Sequence, residues 1–117
     1  MASRETMEEH RISTIEQNLI KNQAIEAIRT CYDPEIPVNI YDMGLVYDVL
    51  VAADGGVLVV MTLTSPYCPA AQSLPKEVEE RVKAVPGVTA VKVNIVWDPP
   101  WNPTMMTEAA RLELGLF

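Results

Sequence analysis

The sequence predicts an α+β fold: a small sheet made of a β-hairpin plus a third strand, with helices packed on one face, in the order α-β-β-α-β-α. Three observations predict it. Two β-rich runs, Leu45 to Ala52 and Val57 to Thr64, flank Ala53-Asp54-Gly55-Gly56, whose Asp-Gly-Gly supplies the positive φ angles of a hairpin turn. Apolar residues recur at helical spacing before and after that hairpin. A third run, Val88 to Trp97, alternates imperfectly through Val91, Val93 and Ile95 once the second helix has ended at Pro86-Gly87.

From Met1 to about Arg11 nothing apolar recurs with a period, so residues 1–12 read as a flexible arm and 13–117 as one domain. Ser13 followed by Glu16 fits a capping box, with Asn18 as an alternative start, and Leu19, Ile20, Ala24, Ile25 and Ile28 form the apolar positions of the first helix. Pro34 is expected to stop it, because its ring disfavours helical geometry at Asp33. Asp33 to Gly44 then reads as an ordered loop. The second helix carries Ala71, Leu74, Val78, Val82 and Val85 on one face, with Pro69 suited to its first position. Pro75 within it predicts a kink or a later regular start, since an interior proline costs about 3 kcal/mol. Asn102 as cap and Pro103 as opener predict a last helix running through Glu113, stopped by Gly115.

A chain of 117 residues with 49% apolar and 21% charged residues has the balance of one folded domain. No apolar run approaches the ~20 residues that span a bilayer, and the charged start lacks the apolar centre of a signal peptide, so a cytoplasmic protein is expected. The net charge of -7 opposes binding to phosphate-rich surfaces, which disfavours nucleic acid and anionic membranes as partners. Cys31 and Cys68 form no CxxC pair, and a disulfide between them is disfavoured in a reducing compartment. The single histidine, His10, lies in the arm, leaving no cluster to close a four-ligand zinc site.

The strongest chemical constellation is Thr62-Leu63-Thr64-Ser65-Pro66-Tyr67-Cys68-Pro69, which delivers a thiol from a strand end to a helix start. Unpaired N–H groups and the helix dipole there favour an anion and so the thiolate. The competing reading is a buried, inert cysteine. Cys31, at a helix C-terminus, reads as a core filler. Asp33, Glu35 and Asp42 make an acidic loop able to supply oxygen ligands or a base, or simply turn formers and solvated charges. Trp97, Asp98 and Trp101 sit in a proline-fixed connection suited equally to a partner contact or to a core lid. Met105 and Met106 suit a groove or, more commonly, packing.

In this order, Asp33-Pro34-Glu35-Ile36, Asp42-Met43-Gly44-Leu45-Val46, Thr62-Leu63-Thr64 leading to Cys68-Pro69, Val85-Pro86-Gly87-Val88 and Trp97-Asp98-Pro99-Pro100-Trp101 give the chain a pattern that resembles the SufT-like metal-sulfur cluster assembly factors. That family is related to the PaaD protein of phenylacetate degradation and to a component of the eukaryotic cytosolic iron-sulfur targeting complex. The resemblance covers the chain from about Leu19 onward. It implies a compact α/β domain that assists maturation of iron-sulfur proteins, with Cys68 as the reactive cysteine and Asp33 and Glu35 as its acidic signature. The cysteine-rich C-terminal segment of PaaD-type members is not matched, which favours the SufT-like branch.

One thiolate cannot hold a cluster that usually takes four protein ligands, so no complete metal site is expected in one chain. Two Cys68 residues across a homodimer, or Cys68 with a partner's cysteines, would hold an iron-sulfur cluster transiently. The partners expected are other iron-sulfur assembly proteins and apo-protein recipients. A non-enzymatic role is expected. The alternatives are an interaction adaptor in which Cys68 is structural, and an enzyme that uses Cys68 on a small electrophile.

Overall fold

The computed structural model of the protein describes residues 12–32, 36–64 and 70–115. Helix α1 (Thr14–Ile28) begins where the Ser13 side chain accepts the Glu16 N–H at 3.1 Å, as the capping box predicts. Its buried stripe is Ile20, Ala24 and Ile28, while Leu19 is exposed because it lies one position off that i, i+4, i+8 row. The helix ends at Ile28, ahead of Pro34. The chain turns there because Cys31 enters the core: its N–H bonds to Ile28 O at 2.9 Å and its carbonyl accepts Ile40 N–H at 3.0 Å.

Strands β1 (Val46–Val51) and β2 (Gly56–Met61) form the predicted hairpin, with Gly55 at φ +90° in the turn. Strand β3 (Ala90–Ile95) lies parallel to β2, giving the order β1-β2-β3. Pairing sets Val57, Val59 and Met61 beside Val91, Val93 and Ile95 on one face, where the β2 residues are buried and those of the edge strand are half-buried. Alternation is strict within Ala90–Ile95, and the longer run is imperfect because Val88 lies in the turn before the strand, its N–H bonded to Val85 O at 3.2 Å. Helices α1 and α2 (Ala70–Lys83) pack against this face through Ile20, Ala24 and Ile28 and through Leu74, Val78 and Val82. Each of the Ile, Leu and Val side chains among them contributes about 1.5–3 kcal/mol by leaving water. Helix α2 neither ends nor restarts at Pro75, which stands in its second turn.

The predicted last helix is two pieces. Asn102 caps a 3₁₀ turn (Pro103–Met105), then Met106 reverts to an extended backbone at ψ 148°, and α3 (Glu108–Glu113) restarts from Thr107. Two interactions impose the break. Thr107 N–H is drawn to Asp42 O at 2.9 Å, and the Thr107 hydroxyl accepts Ala110 N–H at 3.1 Å as a second N-cap. Met106 and Ala110 are thereby buried, and Gly115 stands beyond the helix at φ +74°. Replacing Thr107 by Ala should lower stability by about 1 kcal/mol, read as a lower denaturant midpoint at unchanged m value.

Candidate functional site

Because β2 and β3 are parallel and β1 is antiparallel, the C-terminal ends of β2 and β3 and the start of β1 meet at one end of the sheet. Backbone bonds close it: Thr62 N–H to Leu45 O at 2.8 Å and Val96 N–H to Met61 O at 2.9 Å. Thr62 is fully buried here, and Thr64 is exposed two residues on. The chain then passes through residues 65–69 and enters α2 at Ala70. Cys68 and Pro69 lie in that segment, and Asp33 and Glu35 in the loop after α1; all four fall outside the described residues. What is described is the frame around them: a strand exit and a helix entry on either side of Cys68.

Around this end the loops are pinned from three directions. The Trp101 indole Nε1 donates to Met43 O at 2.7 Å, which half-buries that ring as a lid. Gly44, at φ +81°, lets the 42–45 loop press against the 3₁₀ turn, so that a Cβ would lie 2.8 Å from the Met105 carbonyl carbon. Tyr47 supplies the third contact: its hydroxyl donates to Pro99 O at 2.7 Å and lies 3.7 Å from Met105 Sδ. Tyr47 is the extra residue of a β-bulge between Val46 and Asp48, and the bulge re-aims its side chain toward the 97–101 connection. Loss of water raises the phenol's pKa; the Thr62 hydroxyl opposes the rise and Asp98 adds to it. Nothing in a β-rich run marks a bulge, so the role of Tyr47 is not legible in the sequence.

The sequence-selected residues separate into two groups. Thr62 and Trp101 frame the sheet end. Trp97 is 46% exposed and Asp98 is exposed, both at that end and open to solvent. Asp42 joins the frame by its backbone only. Its carboxylate accepts Asn39 Nδ2 at 3.0 Å and faces Arg29 at 3.7 Å, so it organises its own loop. Among the described residues, no three His, Cys, Asp or Glu side chains converge on a metal-sized space. Cys31 is a core residue, as the sequence indicates: it has no exposed surface, and burial, with Glu77 adding, pushes its thiol pKa up.

Residues 21–95 match the family described as iron-sulfur cluster assembly protein, a stretch that includes Cys68, Asp33, Glu35, Asp42 and the whole sheet. The chain belongs to that family. Among its relatives are an Fe-S protein maturation auxiliary factor of Porphyromonas gingivalis, 54% identical over 78% of this chain and 87% of that one, and the factor SufT of Staphylococcus aureus, 40% identical over 72% and 96%. A solved structure of a domain of unknown function from Bacillus anthracis shares 33% identity with a TM-score of 0.83, covering 90% of this chain and all of that one. A conserved hypothetical protein from Thermotoga maritima, 30% identical, aligns with a TM-score of 0.71 over 92% and 98%. The SufT-like resemblance and the α+β architecture therefore hold. The family match stops before Trp97, so the Trp97–Trp101 connection rests on the geometry given above.

Two outcomes follow. Gly44→Ala should destabilise by at least about 2 kcal/mol in denaturant unfolding, since it adds left-handed backbone strain to a clash with Met105. A thiol whose folded pKa is raised stabilises the fold below its unfolded pKa, and that contribution is lost as pH rises toward the folded value. Stability should therefore fall above about pH 8.5, and Cys31→Ala, about 1 kcal/mol weaker at neutral pH, should show a shallower fall in the same titration.

Proposed function

We propose that this protein is a non-enzymatic accessory factor in the maturation of iron-sulfur proteins, acting in the cytoplasm through the thiol of Cys68. Family membership and relatives named as Fe-S protein maturation auxiliary factors support the accessory role. The observation that carries the residue assignment is positional: the family match includes Cys68, which stands between the C-terminal end of β2 and the first turn of α2. Orphan N–H groups at a helix start favour a thiolate, the form that binds iron or exchanges with another thiol. In this reading the cluster is cargo. Cys68 supplies one ligand, and donor and recipient proteins supply the others, so that the cluster is held long enough to pass on.

No helix among the described residues is long and apolar enough to cross a membrane. The acidic surface and the exposed Trp97 suit contact with other proteins better than with nucleic acid. Exposure of Trp97 also favours a second reading, an adaptor whose contacts lie in the 97–101 connection while Cys68 is structural. One experiment separates them. Anaerobic reconstitution with iron and sulfide should give wild-type protein visible absorption and transfer to an apo acceptor, and Cys68→Ser should abolish both. A variant that binds and matures clients as wild type does would favour the adaptor.

A further inference from the structure

The two edges of the sheet are treated differently. On β1 the bulge at Tyr47 breaks the edge, Gln17 Nε2 donates to Val51 O at 3.1 Å, Ile12 N–H bonds to Ala53 O at 2.8 Å, and α1 packs alongside. Strand β3 has none of these devices. The ladder that places Val96 N–H on Met61 O points the N–H and C=O groups of Val91, Val93 and Ile95 away from β2, and no group among the described residues accepts or donates to them. Their side chains face the helices yet stay half-buried, so an apolar stripe runs beside the open backbone edge.

We infer that β3 is the seam of a two-fold dimer, in which Val91–Ile95 of two copies pair antiparallel about Val93 to make one continuous sheet. The occupant is a second copy because the strand complements itself. In this register Val93 meets the partner's Val93 and Val91 meets the partner's Ile95, joining the two apolar stripes on the helix face. On the other face Lys92 meets the partner's Asn94, so no like charges oppose one another. Moving the axis to Lys92 would set two ammonium groups opposite each other, which selects against that register.

A second feature fits the same register. Exposed Trp97 lies four residues beyond the axis, which carries it to the hairpin end of the other copy. There, on the solvent face of the sheet, Leu50, Asp54, Leu58, Ala90 and Lys92 line an open hollow of about 480 Å³. The geometry bears on the cargo as well. Antiparallel pairing sends the two β2 C-terminal ends, and with them the Cys68 segments, to opposite ends of the dimer. Each copy would then take its remaining cluster ligands from a different protein, not from its twin. The dimer itself does not rest on the role of Cys68.

Sedimentation equilibrium of the full chain under reducing conditions tests this, with Asn94 as the probe because it is exposed and on the solvent face. Asn94→Lys sets like charges opposite each other twice by symmetry and should weaken self-association roughly threefold to thirtyfold. Asn94→Glu should strengthen it about threefold, and Lys92→Glu with Asn94→Lys, which makes the same two opposite-charge pairs with the signs exchanged, should strengthen it to the same extent. Trp97→Ala should weaken it about tenfold, and wild-type Trp fluorescence should shift to the blue with concentration. A wild-type chain that stays monomeric to about 1 mM overturns the proposal, and so does a dimer indifferent to these four variants. The same variants assayed for reconstitution keep the two readings apart, since loss of the dimer leaves the Cys68→Ser comparison intact.

Discussion

Strand β2 makes both ladders of the sheet, and every other element is placed by that. Its even residues bond toward β1 and its odd ones toward β3, while Val57, Val59 and Met61 form the buried face on which α1 and α2 meet. A central strand buried on one face tolerates no slip, because moving by one residue would turn those side chains to solvent and Leu58 and Val60 inward. That fixed register delivers Thr62 and Thr64 to one defined end of the sheet.

The same end is where the remaining chain is tied down. Local sequence would run residues 103–113 as a single helix, but a hydrogen bond from Thr107 to the loop at Asp42 outweighs continuation of the helix. The contacts of Trp101 with Met43, Gly44 with Met105 and Tyr47 with Pro99 join segments some sixty residues apart in a small area. A rigid frame of this kind holds the strand exit at Thr64 and the helix entry at Ala70 in fixed positions.

One acidic position of the motif serves the architecture. Asp42 belongs to the motif by sequence, yet its carboxylate is occupied by Asn39 and Arg29. The two tryptophans diverge in the same way. Trp101 spends its indole N–H inside the protein, whereas Trp97 leaves its ring in solvent at the end of an open strand edge.

By itself the sequence determined the element order, the hairpin, the capping of α1, the core role of Cys31 and the family, because each is written in local spacing or in a short ordered motif. The buried face of β2 was legible for the same reason, since period and turn chemistry act within a few residues. Tertiary structure alone decided the early end of α1, the split of the last helix, the bulge at Tyr47, the division of labour between Trp97 and Trp101, and the contrast between the two sheet edges. Those features depend on hydrogen bonds and close approaches between residues far apart in the chain, whose energies local propensity does not contain.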